Sequence, residues 1–315
     1  MNASFASSAI AGSTLELGVV GHPLGDAPYI ATSATKQIQL IKSMGMKWYR
    51  INVITQSDGT VTVPSLLQPL LDAASKGGVK ILPMLHPRTM DITDDESESY
   101  ARGWKLGKDF AAKYGKYFAY YDLGNDLDFE TLIPNKTGRS QTHYEYEPTR
   151  SIMAYLKGMD EGIKSIVPTA KTMISAGWLH YAFLRMCFWY GIKYDIVGYH
   201  WYSDMENAAP NPPNNIPDIT QKLSSLFPNK PIWITEFNYR YKTTRTTAEN
   251  EAAQRDFINS FVKKCSANPQ VKVAIVYELF DEPYKSVQES TYGIAKWLTP
   301  YTLFKNKPII DYLLK

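Results

Sequence analysis

Strand-like and helix-like runs alternate along the whole 315-residue chain, in eight units of which the sixth is followed by the Pro- and Asn-rich segment AAPNPPNN, and no other feature limits the possible folds as tightly. The strand-like runs fall at 15–22, 47–53, 80–87, 118–126, 171–178, 195–203, 231–238 and 271–283. Helical patterns follow at 33–44, 63–78, 96–114, 151–168, 181–190, 248–264 and 308–314. Several strands are apolar without interruption, as in Ile232-Trp233-Ile234, which is how a strand covered on both faces reads. Right-handed crossovers keep each strand beside the last, so eight such units close into a single-domain α/β fold, a (β/α)8 TIM barrel over residues 15–315. Residues 1–14, small and polar, are set aside as a flexible N-terminal segment. A doubly wound open sheet is the main rival and normally carries a glycine-rich phosphate turn after its first strand. The turn here reads GHPLGD, with glycines only at 21 and 25.

Charge and composition exclude several functions. The net charge is +3 and the basic residues are spread without blocks, so nothing favours a nucleic-acid partner. No apolar run is long enough to span a membrane. The start has no basic n-region and is not an intact signal peptide. The two cysteines, Cys187 and Cys265, fall in different predicted helices and read as small buried apolar residues. Nothing calls for a metal or a cofactor, and oligomeric state is not legible. The 22 Tyr, 12 Phe and 7 Trp serve packing for the most part, with a share free to stack on flat sugar faces at a cleft.

If the barrel closes, all eight strand ends meet on one rim. The polar residues there are His22, Arg50, Asn52, His86, Asn125, Asp126, Trp178, His200, Tyr202, Glu236 and Glu278. Any one alone could be a satisfied buried group, but convergence from six or more strands on the catalytic end of a barrel is hard to read as core. Two acids on two strand ends, Asp126 and Glu236, suggest paired carboxylate chemistry.

The Asn125-Asp126 step in YDLGND, with Glu236 in WITEF, resembles the signature of clan A glycoside hydrolases, nearest to family 39-like retaining enzymes. Arg50 in WYRIN, His86 and the His200-Tyr202 pair stand where such enzymes keep sugar-contacting residues. The resemblance implies that Glu236 is the nucleophile, kept ionised and oriented by Arg50 and Tyr202. Asn125 would bind the sugar 2-hydroxyl, and Asp126 would be general acid and then base. His86 and His200 would hold hydroxyls or tune the acid, Trp178 would offer a stacking face, and Glu278 is a rim acid without an assigned role. The substrate would be a carbohydrate, met in a secreted or periplasmic setting, with loops 128–141 and 203–215 setting which sugar is taken.

Position 126 departs from the pattern, because the clan uses glutamate there. Losing a methylene retracts the carboxyl by about 1 Å, a displacement that can cost on the order of a hundredfold in rate. Three readings stand: an aspartate served by an adjusted backbone, a substitution that leaves a slow enzyme, or another acid, Glu278, Asp128 or Glu130, acting instead. A barrel that binds glycan without cleaving it is the competing function. A metal-dependent hydrolase built on His22, His86 and His200 is a weaker rival, because the first strand offers one histidine rather than a close pair.

Overall fold

The computed structural model describes residues 15–286, 289–299 and 303–313, so the N-terminal segment 1–14 lies outside the described residues. Eight parallel strands close into a barrel: β1 (Glu16–Gly21), β2 (Trp48–Val53), β3 (Lys80–Leu85), β4 (Tyr120–Leu123), β5 (Lys171–Gly177), β6 (Ile196–Tyr202), β7 (Ile232–Asn238) and β8 (Val271–Val276). Each pairs with its sequence neighbours, and β1 closes on β8 with Leu17 opposite Ala274. The (β/α)8 expectation therefore holds.

The two-residue period of a strand explains how the interior is layered. Along β2 the inward positions are Trp48, Arg50 and Asn52. Trp48 belongs to an apolar plug at the amino-terminal end, where its ring centroid lies 4.6 Å from Trp233 and 5.2 Å from Tyr120. One inward step higher stand Arg50, Asp122, Ser175 and Thr235. These groups satisfy one another, as burial requires. Arg50 Nε donates to Asp122 Oδ2 at 2.8 Å, Ser175 Oγ donates to Asp122 Oδ1 at 3.2 Å, and Ser175 and Thr235 hydroxyls are 3.0 Å apart. Room for Ser175 comes from Gly198 on β6, where a Cβ would lie 2.2 Å from Ser175 Oγ. The layer above that is the open mouth of the barrel.

The helical shell forms where caps and periodicity direct it. Ser33 caps helix Ala34–Ser43 by accepting from the Lys36 amide, and Pro64 opens the helix that ends on left-handed Gly78. Helices Glu96–Tyr114 and Tyr146–Ile166 approach backbone to backbone through Gly103 and Gly107 on one and Gly158 and Gly162 on the other. A Cβ at any of the four would fall 2.0–2.4 Å from a carbonyl oxygen of the facing helix. That contact packs the shell outside β4 and β5.

Several boundaries differ from those read in the sequence. The helix expected from 151 begins at Tyr146, because Pro148 sits in its first turn, where a proline costs no hydrogen bond. The eighth strand ends at Val276, short of Tyr277 and Glu278. The segment 203–215 is not all loop: Ser203–Ala208 is helical, and a further helix, Ile219–Leu226, with Asp218 as its cap, completes the sixth unit. An antiparallel hairpin, β9 (Ala295–Thr299) with β10 (Leu303–Asn306), precedes the last helix, Pro308–Leu313, and carried no signal that set it apart. Cys187 and Cys265 are free and buried, in separate helices.

Candidate active site

The barrel mouth holds a cavity of about 390 Å³ walled by strand ends, among them Asn52, His86, Asn125, Asp126, His200, Tyr202 and Glu236. Glu236 lies on β7, where the pairing register shifts between Ile234 and Phe237 against β8 and between Tyr199 and His200 against β6. Thr235 faces the interior, Phe237 packs outward on Phe261, and this irregularity turns the intervening Glu236 carboxylate into the cavity. Its two oxygens are held separately: Oε1 accepts from Arg50 Nη1 at 2.7 Å and Oε2 from the Tyr202 hydroxyl at 3.0 Å.

Arg50 is the joint of the site. Its guanidinium, 1% exposed, spends its three nitrogens on Asp122, Glu236 and the Asn125 Oδ1 at 2.7 Å. Burial works against its charge, but Asp122 and Glu236 outweigh burial and hold it protonated above the ordinary arginine range. Asp122, wholly buried, is pushed up from its usual value by burial, against the pull of Arg50. Asn125, positioned by Arg50, donates from Nδ2 to Asp126 Oδ2 at 2.8 Å.

Asp126 leaves β4 through a turn with Gly124 at φ 87° and Asp126 itself at φ 53°, a conformation non-glycine residues adopt rarely. The turn aims a half-exposed carboxyl, 46% accessible, across the cavity toward His200. His200 spans the two acids: Nδ1 is 2.7 Å from Asp126 Oδ1 and Nε2 is 3.8 Å from Glu236 Oε1. Only one imidazole and its contacts separate the two carboxylates, which therefore share one pocket. Burial works to lower His200, yet Glu236 and Asp126 raise it to about 9. Burial works to raise Asp126, yet the His200 charge, its hydrogen bond, Arg50 and the Asn125 amide hold it below its ordinary value. In the free site the dissociable proton of this pair therefore rests on the histidine.

His86 lines the cavity as expected, with an exposed side chain. Two residues placed on the rim by sequence stand elsewhere. Trp178, at φ 46°, turns its indole onto Trp201, nearly parallel at 20° with centroids 6.1 Å apart, and does not line the cavity. Glu278 is wholly buried beneath the wall, its Oε2 3.0 Å from His22 Nδ1 and 3.2 Å from the Tyr29 hydroxyl. Burial raises Glu278, while His22 and Lys285 pull the neighbouring Glu282 down. Between them the two acids lift His22 to about 10, although burial works to lower it. The other substitutes for Asp126 are also out of reach. Asp128 is buried against His180 Nδ1 and the Gly177 amide, and Glu130 points to solvent.

His22, His86 and His200 all line the cavity, but the three do not form one group of donor atoms within 4.8 Å of one another. Among the described residues, His22, Asp26 and Glu282 bring three donor atoms within 4.8 Å of one another, and the Lys285 ammonium already lies against Glu282. Sequence reasoning missed Asp122, Phe129, Arg240, Tyr277, Glu289 and Tyr292, five of which line the cavity. Asp122 was legible, since it shares a face with Tyr120 and a charge inside a buried strand demands a partner. The rest come from loops beyond the strand ends, where no periodicity marks them.

A (β/α)8 barrel with two carboxylates in the cavity at its mouth is what the fold and the site define. The chain belongs to the glycosyl hydrolase catalytic core family, whose profile matches residues 141–300, and it is a glycoside hydrolase. No curated protein sequence matches the chain. Among solved structures it is similar to the β-glycosidase BGL167, at TM-score 0.69 and 12% identity over 97% of this chain and 96% of that one. It is likewise similar to the family 1 β-glucosidase from Thermotoga maritima, at 0.67 and 11% over 96% of each chain. The Agrobacterium tumefaciens virulence factor SghA, solved with its substrate analogue salicin, aligns at 0.67 and 12% over 95% of this chain and 94% of that one. At these identities the likeness establishes the barrel fold.

Proposed function

We infer that this enzyme cleaves a glycosidic bond with retention of configuration, using Glu236 as nucleophile and the Asp126–His200 pair as acid and base. The observation that carries this reading is one cavity in which Glu236, fixed at both oxygens, faces Asp126 across a single imidazole. A nucleophile needs this two-point hold to meet the anomeric carbon in line. As the glycosyl-enzyme bond forms, the departing oxygen takes the proton held between His200 Nδ1 and Asp126 Oδ1. In the second step a water gives its proton back to that pair and its oxygen to the sugar. Asn125, pinned by Arg50, stands ready to bind the sugar 2-hydroxyl. The β-glycosidases among the structural neighbours support a β-linked substrate, and a polymeric substrate would place the enzyme's action outside the cytoplasm.

The pair accounts for an aspartate in place of glutamate: His200 supplies the proton that a shortened acid held below its ordinary value does not carry. Because His200 titrates at about 9, kcat/KM on a glycoside with a poor leaving group stays high through neutral pH and falls above about pH 9. A pH–rate profile checks this, and a basic limb in the ordinary carboxylic-acid range contradicts it. For the same reason Asp126→Glu lowers kcat on such a glycoside, by roughly tenfold to a hundredfold, because the longer side chain overruns the 2.7 Å contact to His200. A rise in kcat would mean that the aspartate is a handicap and that the site was not built around it.

A further inference from the structure

The flank of the barrel carries a second cavity that the chemistry above does not use. It measures about 450 Å³ and lies between the helices Tyr146–Ile166 and Tyr181–Trp189. Two of its rings are unusually exposed, Tyr146 at 69% and Trp189 at 58%, with the half-buried Tyr190 between the helices. Arginines keep these rings in place. Arg185 lies 4.6 Å from the Trp189 centroid, and Arg150 lies 5.5 Å from the centroids of both Tyr146 and Tyr190. The Arg150 charge is spent within the protein, since Glu96 accepts from its Nε at 2.7 Å and its Nη2 at 2.9 Å. The groove thus offers flat aromatic walls, a fringe of hydrogen-bonding groups at Gln141, Thr142 and Glu145, and a lining arginine already paired with Glu96.

That combination selects among ligands. An anionic polymer meets a lining arginine already paired with Glu96 and the negative charge of Glu145, and a membrane or protein partner would demand a wider apolar face than a few rings and two methionines. A neutral sugar chain presents flat C–H faces to the rings and hydroxyls to the polar fringe, as its hydration and shape require. The connection between β4 and helix Tyr146–Ile166 supplies Asp126 and Phe129 to the catalytic cavity and Gln141, Thr142, Tyr144 and Glu145 to this groove, so one stretch of chain borders both. We propose that the groove is an auxiliary binding site for a neutral polysaccharide chain, holding polymer beside the catalytic mouth. This rests on the glycosidase reading of the mouth and adds a second point of attachment to it.

Affinity electrophoresis in gels containing soluble β-1,3-glucan, mixed-linkage β-glucan or xylan tests the site, with Glu236→Gln as the parent protein so that the polymer is not consumed. The parent is retarded by at least one of these polymers. Adding Trp189→Ala or Tyr146→Ala weakens retardation by about tenfold, the effect of one lost stacking ring. In the active enzyme the same two changes leave kcat/KM on a small aryl glycoside unaltered and lower it on the polymer. Retardation that survives both ring substitutions overturns the proposal, as does a parent that no neutral polymer retards. Failure of the catalytic reading shows separately, as absence of aryl glycoside turnover by the unsubstituted enzyme.

Discussion

Glu236→Gln lowers turnover of an aryl glycoside by on the order of 10⁴-fold or more, while the protein stays folded with its cavity intact. The amide keeps an acceptor oxygen for Arg50 Nη1 or the Tyr202 hydroxyl, which now sit 2.7 and 3.0 Å from the carboxylate, so the wall of the cavity changes little. What disappears is the charge that attacks the anomeric carbon. Added azide, small enough to enter a cavity of about 390 Å³, restores turnover of a substrate with a good leaving group by attacking in place of the lost carboxylate. Steady-state kinetics with and without azide check this. A variant within a factor of ten of the parent enzyme would remove Glu236 from the chemistry.

Arg50→Met has the largest expected effect on the fold. Removing the cation leaves Asp122 and Glu236 as buried acids without their counter-charge, and takes from Asn125 the contact that orients it. Breaking one partner of a buried ion pair costs about 3–5 kcal/mol, and here one cation serves two carboxylates. The loss depends on pH in a definite sense. Asp122 is raised above its ordinary 3.8 even with Arg50 in place, and without it the group rises further. A folded-state value above the unfolded one adds stability below the unfolded value and loses it as pH rises through the folded one. The deficit of Arg50→Met relative to the parent is therefore smallest in acid, below about pH 4, and grows toward neutrality. Denaturant unfolding at several pH values measures this. A deficit that is flat with pH, or below about 1 kcal/mol, would contradict a shared buried charge centre.

The barrel was legible because its signal is repetition: alternating strands and helices recur often enough to fix the closed fold before any contact is known. The site was legible where it sits on strand ends. Arg50, Asn125, Asp126, His200, Tyr202 and Glu236 reach one cavity or its floor because parallel strands end together on one rim. Trp178 and Glu278 show the limit of that logic. Each follows the end of its strand, where a single dihedral decides whether a side chain enters the mouth. A left-handed φ at 178 sends the indole onto Trp201, and Glu278 lies past the end of β8, where His22 and Tyr29 draw it under the wall. Sequence also could not foresee that a histidine would lie between the two acids, since His200 and Asp126 are 74 positions apart. In the proposed mechanism that contact makes the shorter side chain at 126 part of a proton-carrying pair.

The proposed mechanism requires Glu236 to form the covalent bond to the sugar. Incubation with a panel of 2-deoxy-2-fluoroglycosides carrying activated leaving groups, followed by proteolysis and mass spectrometry, tests it most directly. The expected result is one added fluorosugar on the peptide that contains Glu236, with labelling abolished in Glu236→Gln. Label on any other residue would contradict the assignment, as would inverted configuration in the first-formed product.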